Sequence, residues 1–305
     1  MRSKWPRGTK LVALDYRDEE KERLREENLM LRQLLATHGI PVPQSVPDGA
    51  PTIHTYAPSG LDSKVVKSKE ERARERIALF RSLFRGREDV YARRWDNPDG
   101  RYGYSPAVLK DWKAINSSRP EDRKRVDRNT RKFLLLTETV IENHLLGKET
   151  VGIYPLLPDD TCWFLAVDFD KRTWAEDSRA FRETCRELNI PAVLERSRSG
   201  NGAHVWIFFE HAVPASLARK LGCAVLTRTM ERRHQLGLDS YDRLFPNQDT
   251  MPKGGFGNLI ALPLQFVPRK SSNSVFVDSD LRPYPDQWEF LSTVRRMPIA
   301  MAEEV

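Results

Sequence analysis

Nowhere in this chain does an apolar run approach the ~20 residues that a membrane span requires. Residues 1–10 are basic but lack the apolar stretch of a secretion signal, so the sequence reads as a soluble, cytoplasmic protein with no membrane partner. Cysteine is scarce: Cys162, Cys185 and Cys223 lie far apart and read as buried small hydrophobes rather than disulfide or zinc ligands. The histidines (His38, His54, His144, His204, His211 and His234) share no short paired spacing. No structural zinc is therefore expected, and folding must rest on apolar packing. A GxxxxGK phosphate loop followed by Ser or Thr is also missing, so Walker-type nucleotide chemistry has no seat in these residues.

Charge is what the chain has in quantity. The formal net charge is +7, and its distribution is uneven. Residues 61–135 hold 21 Lys/Arg against 12 Asp/Glu, which leaves the rest of the chain slightly acidic. A localised basic surplus fits a partner with a phosphate backbone, and it equally fits a solvated basic helix face.

Four regions follow from composition. Residues 1–39 contain a charged helix over 18–38, on which Leu24, Asn28, Leu31 and Leu35 form a stripe. That stripe suits a short parallel coiled coil, with Asn28 fixing the register, or a helix packed on its own domain. Residues 40–60 carry Pro41, Pro43, Pro47, Pro51 and Pro58 and read as a linker. Residues 61–150 form a basic N-terminal part. It has a helix over 68–85 that turns Ile77, Phe80 and Phe84 to one side, an irregular arginine–aromatic stretch over 91–104, and a helix over 137–147 ended by Gly147. In the irregular stretch Arg93, Arg94, Trp95, Arg101 and Tyr102 combine stacking faces with phosphate-tracking charge, as single-strand binding surfaces do; a small aromatic core with outward arginines is the alternative.

Residues 151–297 are patterned most sharply. Cys162 to Val167 is a buried strand. Thr173 and Glu176 suggest a capping box for the next helix, which Asn189, Ile190 and Pro191 end. Strands follow at 192–195 and 204–209, then a helix from Pro214 to about Gln235, then a last strand at 258–266. The class is α+β, with an RRM-like β-α-β-β-α-β palm.

The chemistry sits at strand ends. Side chains alternate along a strand, so Asp168 and Asp170 face one way and Phe169 the other. Two adjacent carboxylates repel unless a hard cation relieves them, which suits two Mg²⁺ or Mn²⁺ ions; strand-end turn caps are the plainer reading. Between the next strands, Arg196, Arg198, Ser199, Gly200, Asn201, Gly202 and His204 make a glycine loop with charge and a hydroxyl, a candidate triphosphate cradle. Asp242 is the expected third acid, with Asp239 as runner-up, and Lys253 sits on a second basic glycine loop.

These residues resemble the archaeo-eukaryotic primase superfamily, whose motifs are a strand-end DxD, a serine-to-histidine segment and a late acid. The strings ERSRSGNGAHVW, SYDRLFPNQDTMPKGGFGNLIALPLQ and YPDQW are similar to one branch, the primase-polymerase module of TOTE conflict systems, related to CRISPR-associated primase-polymerases. The resemblance spans roughly 75–300. It implies an RRM-like catalytic core preceded by an N-terminal α/β part, and template-dependent nucleotidyl transfer on a DNA primer-template with nucleoside triphosphates. It also implies helicase and nuclease modules within the same system. The branch carries a cysteine cluster after GYSP, whereas residues 107–136 here contain no cysteine. A non-catalytic single-strand-binding module and a two-metal nuclease are the alternative functions.

Overall fold

The computed structural model describes residues 68–232 and 239–304, together with the helical residues Leu29, Met30, Gln33 and Thr37. The chain divides into Met1–Lys64 and Val65–Val305. The leucine stripe (Leu24, Asn28, Leu31, Leu35), the proline linker and Gln235 lie outside the described residues. No helix among the described residues is long and apolar enough to cross a membrane.

The second unit opens with α1 (Lys69–Leu83). Ser68 and Glu71 close a reciprocal capping box: the Ser68 hydroxyl accepts the Glu71 N–H at 3.1 Å, and the Glu71 carboxylate accepts the Ser68 N–H at 2.7 Å. Phe80 and Phe84 are fully buried, and Phe84 meets Trp206 and Phe208 edge-on at 5.0 and 5.3 Å. The arginine–aromatic stretch is not irregular. It is a hairpin of β1 (Ala92–Asp96) and β2 (Tyr102–Pro106), turned at 97–100 with Gly100 at a φ of 83°. Arginines and aromatics occupy both faces, so no polar–apolar alternation betrayed the strands; the Asn-Pro-Asp-Gly turn was the available signal.

After the hairpin come β3 (Val108–Leu109), α2 (Trp112–Ser117), α3 (Arg123–Thr130), β4 (Lys132–Phe133) and α4 (Glu138–Leu145). β3 and β4 pair with each other. Gly147, at a φ of 80°, follows the end of α4 as expected. β5 (Val151–Ile153) and β10 (Ile260–Ala261) then complete a four-stranded antiparallel sheet in the order β10-β5-β1-β2. A division at residue 150 therefore runs through this sheet.

The five-stranded sheet holds β6 (Thr161–Phe169), β7 (Ala192–Arg196), β8 (Ala203–Pro214), β9 (Tyr241–Phe245) and β11 (Val275–Val277), in the order β11-β7-β8-β6-β9, all pairs antiparallel. Helices α5 (Trp174–Glu187) and α6 (Ala215–Arg232) complete a β6-α5-β7-β8-α6-β9 sequence. The segment predicted as its last strand, 258–266, is not in this sheet; only Ile260 and Ala261 are strand, and they pair with β5. Leu264, at a φ of 63°, breaks the run. The strand that follows α6 in this sheet is β9, which looked polar because its Asp242 and Arg243 are exposed.

The start of α5 and one cysteine depart from the local expectations. Thr173 caps no backbone N–H; its hydroxyl donates to Asp177 at 2.8 Å. The same carboxylate accepts the Ser240 hydroxyl at 2.6 Å and the Ser240 N–H at 3.2 Å, which ties the start of α5 to the approach to β9. At its other end α5 closes as predicted. Asn189 sits in the left-handed region (φ 58°), Ile190 N–H donates to Cys185 O and Asn189 N–H to Arg186 O. Cys162 and Cys185 are buried, and burial pushes the Cys162 thiol up to about 12, but Cys223 is exposed on α6. A long helix such as α6 has a solvent face, and a residue-type rule assigns a cysteine on that face inward.

Shorter helices α7 (Phe266–Arg269), α8 (Gln287–Ser292) and α9 (Ile299–Glu304) finish the chain. One buried cluster joins Phe80 and Phe84 of α1 and its end to Val151 and Ile153 of one sheet and to Phe164, Trp206 and Phe276 of the other.

Candidate active site

Asp168 and Asp170 stand at the end of β6, where burial on both faces of the strand gives way to solvent. Phe169 between them is fully buried and packs on Phe181 of α5, with ring centroids 5.7 Å apart. Alternation therefore turns both aspartates to the face that α5 does not cover. In register, Asp168 lies opposite His204 of β8, and His204 lies opposite Glu195 of β7. Three adjacent strands thus set a carboxylate, an imidazole and a carboxylate in a row. His204 Nδ1 is 2.9 Å from Glu195 Oε2, and Nε2 is 3.6 Å from Asp168 Oδ1. Glu195 also accepts the Trp206 indole N–H at 2.8 Å, and only 1% of its surface is exposed.

This row decides the charge of His204. Burial alone would lower its pKa. The charge and hydrogen bond of Glu195, with the charges of Asp168 and Asp170, outweigh burial and hold it at about 9. The ring is a cation at neutral pH, with both N–H groups facing carboxylates. Asp168 is shifted upward, first by burial and then by Asp170 and Asp242, against the opposing pull of His204 and Arg243. Glu195 was missed by the sequence reading. The available signal was an acid inside an otherwise apolar strand, AVLER, but only strand register shows what it faces.

Asp242 joins this end of the sheet through a bulge. β9 pairs Arg243 with Asp168 and Tyr241 with Phe169, so Asp242 is the extra residue between them. With Asp170, Lys171, Arg172, Trp174 and Asn201 it lines a cavity of about 600 Å³. Its carboxylate accepts from Arg243 Nε at 2.6 Å. Asp239, the runner-up, is exposed before β9 and is not among those lining residues. The Asp170 N–H donates to the Ser240 carbonyl at 2.7 Å, which fixes the spacing between the two strand ends.

Among the described residues, no three His, Cys, Asp or Glu side chains are drawn together as a ready-made metal cage. The donor chemistry nevertheless fits a hard divalent ion. Asp168 is a half-buried oxygen donor whose neighbours are two further carboxylates, Asp170 and Asp242, as well as the cationic His204 and Arg243, and a hard cation would relieve the repulsion among the three acids. The neighbouring backbone also keeps close. A Cβ on Gly202 would stand 2.7 Å from Asp170 Oδ1 and 2.8 Å from the Phe169 carbonyl, so only glycine lets the loop lie against the acid.

That loop is ordered by its own bonds. The Ser197 N–H donates to Gly202 O at 2.9 Å and the Gly200 N–H to Ser197 O at 3.0 Å; the Ser199 hydroxyl accepts the Asn201 N–H at 3.2 Å. Gly200 has a φ of 79°. Arg196, predicted beside the phosphates, is turned away. It pairs with Ala203 rather than His204, and its guanidinium donates to the carbonyls of Leu281 (2.7 Å) and Ser272 (3.3 Å). Sequence proximity to the loop could not show that parity. Arg198 leans instead toward Arg94 and Tyr104 of the hairpin; burial and the Arg94 charge lower its pKa, and its Nη1 is buried with no acceptor among the described residues. Lys253 is exposed and is not among the residues lining the Asp170–Asp242 cavity.

The five hairpin candidates are split between its faces. Arg94 and Tyr102 share one face, with the guanidinium 4.0 Å over the ring, and Arg93 and Trp95 share the other. Each arginine is already paired: Arg93 with Glu149, Arg94 with Asp96 and Arg101 with Asp99. Tyr102 and Trp95 remain open, at 65% and 42% exposure.

A search of curated proteins finds no match. Among solved structures, the chain is similar to the polymerase domain of Mycobacterium tuberculosis ligase D in complex with DNA. That similarity covers 75% of this chain and 86% of the other, at 14% identity and a TM-score of 0.33. The family model for the archaeo-eukaryotic primase domain of the TOTE conflict system matches residues 75–305. Three-quarters of the chain, including both strand-end acids, the serine-to-histidine loop and β9, falls within that match, and the chain belongs to this primase-domain family.

Proposed function

We propose that this protein is a primase-polymerase, a template-dependent nucleotidyltransferase that extends nucleic-acid primers. The observation that carries the reading is the Asp168–His204–Glu195 row beside a glycine loop that touches Asp170. The observed order β7-β8-β6-β9 supports an RRM-like palm. Asp168, Asp170 and Asp242 would hold two Mg²⁺ or Mn²⁺ ions. Bound there, the ions would supply charge neutralisation for an attacking 3′-hydroxyl and a departing pyrophosphate. His204, held as a cation by Glu195, orients a triphosphate together with the Ser199 hydroxyl. Gly202 admits the loop to Asp170. Arg198 and Arg94 carry positive charge from that loop toward the hairpin, where Tyr102 on the Arg94 face and Trp95 on the other face each offer a stacking surface to nucleic acid. Helicase and nuclease modules are the proposed partners within the same system.

The test is incubation of the protein with a labelled primer-template, Mn²⁺ and nucleotides. Template-dependent lengthening supports the reading. Binding without lengthening assigns the protein to single-strand recognition, and shortening of the primer assigns it to nuclease chemistry.

A further inference from the structure

A second cavity, of about 690 Å³, lies along α5 and reaches the beginning of β7. It is separate from the Asp168 face. Phe169 points from β6 to α5, opposite to the aspartates, and the Ser199 loop leaves the far end of β7. Five strand residues separate the two ends, about 16 Å.

Four guanidinium groups line this cavity. Arg179, Arg182 and Arg186 come from α5, and Arg295 from the segment after α8. Glu176 and Glu183 are the carboxylates present, so the lining is two charges positive. Ile190 and Pro191 add an apolar wall. Arg179 Nε donates to the Ala175 carbonyl at 3.0 Å, and Arg186 stands 3.8 Å from Glu183. Arg182 differs: its charge reaches Asp278, next to the lining Ser279, but its Nη1 is buried and has no hydrogen-bond partner among the described residues. A solvated helix face leaves its guanidinium N–H groups in water, whereas a buried N–H without an acceptor is costly and calls for a partner. The negative end of the helix dipole accounts for a basic residue in the last turn of α5, but not for Arg295, which arrives from another element.

We propose that this cavity is a second phosphate-binding site, which takes the phosphates of a nucleotide on the arginines and its apolar part against Ile190 and Pro191. Its volume lies in the range of small-ligand pockets, ~300–1,000 Å³. The phosphate comes either from a free nucleotide or from a nucleic-acid strand. The site needs neither Asp168 nor Asp170, so it stands apart from the polymerase reading, whose failure would show as absence of primer extension by the parent protein.

The experiment titrates the full chain, in EDTA, with ATP by calorimetry and with a fluorescein-labelled DNA strand of about 20 nucleotides by anisotropy. R182Q/R295Q is compared with the parent and with K148Q/K220Q, a variant with equal charge loss on exposed residues elsewhere. Loss of charge-assisted bonds to phosphate predicts weakening by about tenfold or more in R182Q/R295Q alone. Weakening toward ATP identifies a free nucleotide; weakening toward the strand alone identifies its backbone. R186Q/R295Q, at two exposed positions, repeats the test if R182Q/R295Q melts early. Affinities for both probes unchanged from the parent, or reduced no more than in K148Q/K220Q, overturn the proposal.

Discussion

His144 and His204 are both buried, one beside the four-stranded sheet and one within the five-stranded sheet, and one is neutral while the other is charged. His144, on α4, accepts the Val151 N–H on Nδ1 at 3.1 Å, and its Nε2–H donates to the Pro263 carbonyl at 2.9 Å. Both partners are neutral dipoles, and burial lowers its pKa to about 4. His204 is removed from water as well, but its partners are carboxylates, and it stays protonated up to about 9. Solvent exclusion by itself discharges an imidazole; a buried carboxylate reverses the outcome. Around His144 the four-stranded side is therefore satisfied scaffold, with each ring nitrogen matched. Around His204 the five-stranded side gathers more acids than this one cation matches, and Asp170 and Asp242 still push Asp168 upward, an arrangement that a further cation or a substrate would favour.

The contrast breaks most sharply at Asp168. Asp168→Asn and Asp170→Asn are expected to reduce nucleotide incorporation by on the order of 10³-fold, the scale of removing a charge-stabilising group at a reacting centre. DNA binding measured by anisotropy should be retained, because no negative charge is added. Extension at the parent rate by either variant would move the site elsewhere.

His204→Ala is expected to raise the nucleotide KM by about tenfold, the loss of one charge-assisted bond, with template affinity changed far less. Steady-state kinetics at varied nucleotide and varied template separate the two. Equal losses in both would count against a role at the triphosphate. Glu195→Gln should follow the same KM pattern with a smaller change, since it keeps the Trp206 and His204 contacts and removes only charge.

The scaffold histidine makes a prediction about stability. Its pKa falls from about 6.5 unfolded to about 4 folded, so the unfolded chain binds the extra proton. Stability is then fully present above pH 6.5 and is lost progressively as pH falls toward 4. The loss amounts to about 3 kcal/mol for a shift of this size. Urea unfolding between pH 7 and 4 measures it. His144→Asn, which carries no titrating ring, should be less stable at pH 7 yet show a flatter dependence; an unchanged slope would remove His144 as the cause.

A weaker effect is expected at the hairpin. Tyr102→Ala and Trp95→Ala should each weaken single-strand binding by roughly 1 kcal/mol, the low end for an aromatic that stacks a base. Affinities equal to the parent in both variants would leave the hairpin as scaffold only. The smallest expected effect is none: EDTA should leave the melting temperature unchanged while stopping incorporation, and Mg²⁺ or Mn²⁺ should restore it. About one tightly bound zinc per chain by elemental analysis would contradict the first half.

Much of the arrangement around β6 was legible because it depends on short-range rules. A continuous apolar run marks a central strand, alternation places Asp168 and Asp170 together, and Asn189-Ile190-Pro191 stops a helix whatever surrounds it. Where a local rule had competition it failed. Thr173 had Asp177 within reach and bonded it instead of the backbone. The apolar 258–266 run reads as a strand beside β6, whereas the polar-looking YDRLF holds that place.

What the chain's order of residues determined, then, was the local chemistry: two acids on one face of a strand end, a glycine loop ahead of a histidine, and a basic surplus before them. Partnership across strands was settled only in three dimensions. Register put Glu195 behind His204, parity turned Arg196 to the opposite face, and a bulge brought Asp242 to the end of β6. The reason is physical. Alternation and capping act within a few residues, whereas register is selected by the burial of whole faces, and a shift of one residue would exchange every inward side chain for its outward neighbour.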